Sequence, residues 1–196
     1  IGEIGSDAFD SYTGRGYVVF GADFLGTTTG LGSPDDDLIF ANLGASAADF
    51  LIGEHGADSL FSDGGADVLL GGSGDDIITI VDTQFRRIDG GSGGDTVAFG
   101  AVDLALDLTA INGWRLTSIE TFDLSGNGDN TITLTVPVVS ALSPSHTEIT
   151  VIGETGDELI LDVSAATPTS AGGFTTHAFT NVSVKVSDDV TVSAPP

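Results

Sequence analysis

The sequence predicts an all-β protein: a right-handed parallel β-roll, or β-solenoid, with further β-strands towards the C-terminus. Three observations predict this fold class. A nine-residue frame repeats without interruption over residues 44–79, and no segment has convincing helical periodicity. Near the end, Val182, Val184 and Val186 alternate with polar residues, which is the period of a β-strand. A repeat of this length is typical of a chain that coils and stacks on itself.

The nine-residue frame fixes two of its positions. Four consecutive blocks read GASAADFLI (44–52), GEHGADSLF (53–61), SDGGADVLL (62–70) and GGSGDDIIT (71–79). A fifth block, GGSGGDTVA (90–98), follows a stretch at 80–89 that we interpret as one irregular coil. The sixth position is always aspartate and the eighth always aliphatic. These residues are Asp49, Asp58, Asp67, Asp76 and Asp95, and Leu51, Leu60, Leu69, Ile78 and Val97.

Two repeats are predicted to make one full coil. Six residues of turn and three of strand form half a coil, so that the chain stacks on itself every two repeats at the strand spacing of about 4.8 Å. The eighth residue then points inward. Glycine allows the turns positive φ angles and lets backbone carbonyl oxygens approach a common point. This stacking places Asp49 near Asp67, Asp58 near Asp76, and Asp76 near Asp95.

The chain is strongly acidic. Its 196 residues include 29 Asp and Glu against 5 Lys and Arg, a net charge of −24, with no cysteine. This balance excludes nucleic acid as a partner and disfavours anionic membrane surfaces, and no apolar run predicts membrane insertion. Because 40% of the residues are hydrophobic, disorder is a poor explanation of the charge. Cation binding explains it better, and a metal would also replace the missing disulfides.

Stacked aspartates need a counter-charge. Two carboxylates about 5 Å apart repel by roughly 1 kcal/mol in water and about 3 kcal/mol at an effective dielectric constant of 20. A donor set of carboxylate and carbonyl oxygens suits Ca²⁺, with Mg²⁺ as second choice, whereas zinc would favour His or Cys. The sequence therefore predicts several calcium ions in the turns. The predicted metal-site residues are Asp49, Gly53, Gly56, Asp58, Gly65, Asp67, Gly71, Gly72, Gly74, Asp75, Asp76, Gly90, Gly91, Gly93 and Asp95.

Two later segments fit the frame less well. SGNGDNTIT (125–133) has Asn130 at the sixth position, and GETGDELIL (153–161) has Glu158 there. For both, plain turns without metal remain an open alternative. The flanking strand-like stretches are 97–99, 104–108, 132–136 and 149–152, and prolines at 137, 144 and 168 stand where edges or turns are expected.

The block at 71–79 matches every position of the motif G-G-x-G-x-D-x-U-x, and residues 44–98 therefore resemble the RTX (repeats-in-toxin) calcium-binding nonapeptide family. The resemblance implies Ca²⁺ between successive coils, folding that depends on calcium, and type I secretion from a bacterium. Residues 85–135 resemble a segment near the ends of large bacterial surface and adhesin-like proteins. GRGYVVFG (14–21) resembles the closing strand of an FG-GAP repeat, without that repeat's Asp-rich loop.

These observations divide the chain into three parts: an N-terminal β-segment with the FG-GAP-like remnant and an irregular first coil (1–43), the RTX β-roll (44–98), and a continuing β-rich solenoid (99–196). They do not predict an enzyme. The zinc-protease motif His-Glu-x-x-His is absent, and Ser92 satisfies Gly-x-Ser-x-Gly only formally, since no helix follows it. Calcium ligation or a solvated charge run explains Asp35–Asp37 and Asp75–Asp76 better than the paired acids of a glycosidase.

The leading hypothesis is a non-catalytic structural module of a secreted bacterial surface, adhesin or biofilm-matrix protein that folds and becomes rigid on Ca²⁺ outside the cell. A related hypothesis is assembly with other copies into fibres, head to tail or by addition of the alternating strand at 182–192 to a neighbour's sheet. The alternative is the calcium-binding secretion or folding tail of a secreted hydrolase.

Overall fold

The described part of the chain, residues 29–41, 48–142 and 147–196 of a computed structural model, forms eighteen strands and one short helix. The first half comprises β1 (Thr29–Leu31), β2 (Leu38–Phe40), β3 (Phe50–His55), β4 (Ser59–Phe61), β5 (Val68–Ser73), β6 (Ile77–Ile80), β7 (Arg87–Ser92), β8 (Thr96–Phe99), β9 (Ala105–Asp107) and β10 (Leu116–Thr117). The second half comprises β11 (Thr121–Asp123), β12 (Thr131–Thr133), α1 (Val136–Leu142), β13 (Glu148–Ile152), β14 (Glu158–Ile160), β15 (Thr167–Ala171), β16 (Phe174–Ala178), β17 (Ser183–Ser187) and β18 (Thr191–Ser193).

The strands form three sheets that are parallel apart from one hairpin, which confirms the predicted all-β solenoid. Sheet A has the order β1-β3-β5-β7-β10, sheet B the order β15-β16-β17-β13-β11-β8-β6-β4-β2, and sheet C the order β18-β14-β12-β9. Up to β8 the chain alternates between sheets A and B. Leu51 pairs with Leu69 and Leu60 with Ile78, both eighteen residues further along, so two nonapeptides make one coil as predicted.

The eighth residue of each repeat lies in the core. Leu51, Leu60, Leu69, Ile78 and Val97 are each 0% exposed, which confirms the predicted inward column. Complete burial of an aliphatic side chain of this size stabilises the fold by about 1.5–3 kcal/mol. Strands β3, β5 and β7 of sheet A have six residues each, more than the three expected. They continue into the turns because residues such as Glu54 still pair with the next coil, here at Gly72.

Beyond β8 the coil acquires a third side. Sheet A ends at β10 and sheet C begins at β9, whereas sheet B continues without a break. Helix α1 packs at the end of sheet A, where the Ser118 N–H donates to the Leu142 carbonyl over 2.6 Å. The expectation of no helix was therefore wrong, and the predicted strand at 132–136 ends at Thr133. Pro137 lies in the first turn of α1, where no intrahelical N–H is required.

An antiparallel hairpin closes the C-terminal end of sheet B. Strand β16 pairs with β17, and β15, which carries Pro168, forms the outer edge. Val182, Val184 and Val186 are buried as their alternation predicts. However, β17 lies between β13 and β16 and cannot add to a neighbour's sheet, so that part of the fibre hypothesis was wrong for this strand. In sheet C the last strand, β18, pairs with β14 alone.

The first described coil precedes the regular repeats. Asp35–Asp37 form a turn before β2, which pairs with β4 in register, so residues 29–41 already belong to the solenoid. The FG-GAP-like stretch at 14–21, the first residues of the block at 44–52 and Pro144 lie outside the described residues. Within the described ranges, no helix is both long enough and apolar enough to cross a membrane.

Candidate metal centre

The turns that lead from sheet A to sheet B stack along one edge of the solenoid, called here the first edge. Each coil's sixth-position carboxylate accepts a hydrogen bond from the backbone N–H of the equivalent residue in the preceding coil. Asp58 Oδ1 accepts from Asp37 and Asp76 Oδ1 accepts from Asp58, both over 2.8 Å. Asp95 Oδ1 accepts from Asp76 over 3.0 Å. The aspartates predicted to be neighbours on this edge are thus linked directly into a ladder.

The second carboxylate oxygen of each ladder aspartate is not satisfied by the protein. Oδ2 of Asp58, Asp76 and Asp95 is buried and accepts no hydrogen bond, and the three residues are 1%, 1% and 0% exposed. A buried polar atom without a partner costs about 1–3 kcal/mol, and more when it is charged. These oxygens therefore need a positive partner that the protein does not supply.

Each unsatisfied oxygen faces a backbone carbonyl of the next coil. A Cβ atom on Gly53 would collide with both Asp58 Oδ2 and the Gly71 carbonyl oxygen, and one on Gly71 would collide with Asp76 Oδ2 and the Gly90 carbonyl oxygen. Both oxygens of a pair lie no more than 2.5 Å from that position. They are therefore within about 5 Å of each other, a gap that one Ca²⁺ with bonds of about 2.3–2.6 Å can bridge.

The outer part of each turn brings further carbonyl groups into columns. Gly74 has a φ of 125°, a left-handed conformation that side chains resist, and it lies directly against the Gly56 carbonyl. The other predicted turn glycines with positive φ are Gly56, Gly72, Gly91 and Gly93, together with Gly65 on the opposite edge. Asp75 behaves differently from the ladder aspartates. It is exposed and accepts a hydrogen bond from the Gly94 N–H over 2.7 Å, so the structure does not bring it into the buried column.

When no cation is present, burial makes the carboxyl groups of the ladder weaker acids than a solvent-exposed aspartate. Desolvation, with a smaller contribution from neighbouring carboxylates, raises the pKa of Asp76 to about 6 and that of Asp95 to about 7. The pKa of Asp58 is also raised, mainly by desolvation. A divalent cation between the coils would favour the ionised forms and oppose this shift.

The residues fit Ca²⁺ through main-chain as well as side-chain donors. Within the described ranges, no three His, Cys, Asp or Glu side chains are grouped to hold a metal ion. The ladder instead offers one aspartate oxygen and one carbonyl oxygen at each step, and such mixed oxygen sets are typical of calcium sites. The family model of the RTX calcium-binding nonapeptide repeat, in four copies, matches residues 43–78.

Residues 43–78 are RTX calcium-binding repeats. Repeats of this family bind several Ca²⁺ ions per array and are structural modules of secreted bacterial proteins. No curated protein matches the chain. The RTX match ends at Ile78, whereas the stacked ladder on the first edge continues to Asp95 and beyond.

The opposite edge of the RTX roll, where turns return from sheet B to sheet A, carries a shorter ladder. Asp67 Oδ1 accepts from the Asp49 N–H over 2.9 Å, as the predicted pairing requires. Its Oδ2 accepts from the Ser62 hydroxyl over 2.5 Å, so both oxygens of Asp67 are hydrogen-bonded. Desolvation nevertheless raises the pKa of Asp67. Gly65 donates to Asp82, and in the next coil the ladder stops because Arg86 follows Asp67 in register.

Beyond the RTX roll, a ladder on the edge between sheets B and C is satisfied without an ion. Asn130 Oδ1 accepts from the Leu104 N–H and its Nδ2 donates to the Leu124 carbonyl, both over 2.8 Å. The next ladder residue is Asp157, whose oxygens accept from the N–H groups of Asn130 and Glu154 over 2.8 and 2.7 Å.

The assignment of Glu158 to the ladder was therefore wrong by one residue. Glu158 is the first residue of strand β14, and the turn before it is one residue shorter than an RTX turn. At the Gly153 position, Asp157 Oδ2 meets a methyl group of Val190 rather than a carbonyl oxygen. Both Asp157 oxygens already accept backbone N–H groups and no carbonyl oxygen faces Oδ2, so this ladder requires no cation.

Two ladder members on the first edge were missed by sequence reasoning. Asp37 precedes the regular repeats, and Glu120 follows Asp95 by 25 residues with no glycine in its turn. The Asp-rich turn at Asp35–Asp37 gave a signal for the first. No spacing signal identifies Glu120, because its place is set by strand pairing rather than by the nine-residue period.

Proposed function

We propose that this chain is a calcium-dependent structural module of a secreted bacterial protein, which folds and becomes rigid on Ca²⁺ outside the cell. The observation that carries the proposal is the row of buried, unsatisfied oxygens on Asp58, Asp76 and Asp95. We assign the ions to the spaces between coils on the first edge, with the carbonyl groups of Gly71 and Gly90 as further ligands. The remaining predicted turn residues would complete the coordination or keep the coils close.

The energetics favour a switch between unfolded and folded chain. Without calcium, each ionised ladder carboxylate opposes folding, as the raised pKa values of Asp76 and Asp95 indicate. With free calcium at ten times the dissociation constant, each site adds about 1.4 kcal/mol to the free energy of unfolding. Extracellular modules bind calcium with dissociation constants of about 0.1–1 mM, so sites of this kind fill where calcium is millimolar.

Circular dichroism of the purified chain in EGTA and in calcium tests the proposal. We expect the strand signal and the resistance to proteolysis, partial in EGTA, to increase on addition of calcium, with magnesium at the same concentration as the control for ionic strength and cation charge. A full strand signal in EGTA, unchanged by calcium, would contradict the proposal.

We further propose that the module is part of a bacterial surface, adhesin or biofilm-matrix protein. Its support is the resemblance of residues 85–135 to segments near the ends of such proteins. The three-part division of the chain belongs to this proposal, and the start of sheet C just after β8 supports its second boundary. Self-association would have to use an edge such as β18. Sedimentation velocity in calcium over a range of protein concentrations tests for it. A sedimentation coefficient that stays constant with concentration would argue against fibres.

A further inference from the structure

A three-residue turn takes the place of the next RTX turn on the first edge. Strand β7 pairs with β10 at Asp89 and Thr117, and β8 pairs with β11 at Thr96 and Thr121. The six turn residues 90–95 therefore lie opposite only three, 118–120. The short turn contains no glycine and lies outside the residues that match the repeat family.

The two ends of the short turn reproduce the polar groups of an RTX turn. A Cβ atom on Gly90 would collide with Asp95 Oδ2 and with the Ser118 carbonyl oxygen, as one on Gly71 would with Asp76 Oδ2 and the Gly90 carbonyl oxygen. Ser118 thus supplies the carbonyl that glycine supplies in the repeats.

Glu120 supplies the carboxylate. Its Oε2 accepts from the Asp95 N–H over 2.8 Å, as Asp95 Oδ1 accepts from Asp76. The N–H groups of Glu120 and Thr121 both donate to the Asp95 carbonyl, and Ile119 is fully buried in the core. The short turn is therefore held firmly at both ends, and the longer side chain of glutamate completes the ladder.

We propose that a Ca²⁺ ion binds between the coil of Asp95 and the coil of Glu120, with Asp95 Oδ2, the Ser118 carbonyl and the Glu120 carboxylate as protein ligands. The inference rests on the proposal that the first edge binds calcium. Its own observation is that Asp95 Oδ2, which belongs to a residue that is 0% exposed and has no hydrogen-bond partner, faces the Ser118 carbonyl. Nothing in the repeat pattern requires a site here.

The short turn also determines how tightly this site binds. Three residues offer fewer backbone carbonyls than the six of an RTX turn, and Ca²⁺ needs six to eight oxygens. Water therefore fills more of the coordination shell, and the site is the weakest on the edge and the last to fill.

Counting bound ions tests the inference. Equilibrium dialysis and native mass spectrometry should find one calcium fewer on Glu120→Gln than on the wild-type chain. The glutamine oxygen can still accept from the Asp95 N–H, so circular dichroism in calcium should show the folded state. Glu158→Gln is the matched control, because Glu158 accepts a hydrogen bond from the Ser193 hydroxyl and lies outside the first edge; its count should equal that of the wild type.

An equal count in folded Glu120→Gln and the wild type would overturn the inference, whereas a wild-type chain that binds no calcium would overturn the proposed function instead. A second measurement needs no variant. In a calcium titration followed by amide NMR, the amides of residues 118–120 should shift with the last equivalents, after those of residues 53–76 have reached their final positions. Amides at 118–120 that respond together with 53–76, or not at all, would count against a separate weak site.

Discussion

Replacing Asp76 by asparagine should stabilise the chain in EGTA and destabilise it in calcium. The asparagine oxygen can still accept from the Asp58 N–H, as Asp76 Oδ1 does over 2.8 Å. Its amide nitrogen would take the place of the unsatisfied Oδ2 and could donate to the Gly90 carbonyl. In another ladder an asparagine is fully satisfied: Nδ2 of Asn130 donates to the Leu124 carbonyl of its own coil over 2.8 Å. The variant therefore removes a buried charge and at the same time removes a calcium ligand.

The size of the gain in EGTA follows from the raised pKa. Burial moves the pKa of Asp76 from 3.8 to about 6, and each whole step in pKa corresponds to about 1.4 kcal/mol. Ionised Asp76 thus costs the calcium-free fold at most about 3 kcal/mol near pH 8, and about half of that once solvent screening at the turn is included. Asp76→Asn should raise the free energy of unfolding in EGTA by about 1.5 kcal/mol.

In calcium the sign should change once the lost site outweighs this gain: at 100 times the dissociation constant a site is worth about 2.7 kcal/mol, so Asp76→Asn should lower the free energy of unfolding by about 1 kcal/mol. Urea unfolding followed by far-UV circular dichroism near pH 8, in EGTA and in calcium, measures both effects. Asp107→Asn is the matched control: Asp107 is exposed, accepts from Thr109 and lies outside the ladders. If Asp76→Asn destabilised the chain in EGTA as much as in calcium, the assignment of an unsatisfied, ion-binding oxygen would be refuted.

Three other outcomes are expected. In EGTA, the free energy of unfolding should fall as the pH rises from about 4 to 7. The reason is that the folded chain keeps protons on Asp76 and Asp95 (pKa about 6 and about 7), whereas the unfolded chain releases them near 3.8. Calcium should reverse this slope, as urea unfolding at pH 5 and pH 8 would show. Gly71→Ala should cost about 2–4 kcal/mol through collision with the Gly90 carbonyl, whereas Gly113→Ala, with nothing within 4 Å, should leave the melting temperature nearly unchanged. Asp157→Asn should cost about 1–3 kcal/mol in EGTA and calcium alike, because both its oxygens accept backbone N–H groups; a loss confined to calcium would contradict the satisfied ladder.

The sequence predicted the features that depend on the nine-residue period. The inward column at Leu51, Leu69 and Val97 and the contact of Asp58 with Asp76 follow from two equal half-coils of fixed length. Such features can be predicted from a single amino-acid sequence, because the same residue type recurs at the same position of every repeat and therefore at the same place in every coil.

The features that the sequence did not predict lie where the coil length changes. Glu120 holds its ladder position through strand pairing at an offset of 25 residues, which no nine-residue frame finds. Asp157 was missed because it lies one residue before the sixth position of the block that begins at Gly153. In the segment 159–161, three successive aliphatic residues leave the inward position ambiguous, which permitted the one-residue error at Glu158. Helix α1 is too short for its periodicity to be visible, and its place depends on the end of sheet A.

Sheet B keeps its register while the chain between its strands nearly doubles in length. Ser59 pairs with Ile77 eighteen residues later, whereas Glu148 pairs with Ser183 thirty-five residues later, and the exposed hairpin β15–β16 lies within that longer coil. Doubling a loop costs only about 0.6 kcal/mol of closure entropy. A connection such as that between β14 and β17 is therefore where evolution can insert new segments, and where a designer could graft a peptide, without disturbing the carboxylate ladder on the first edge.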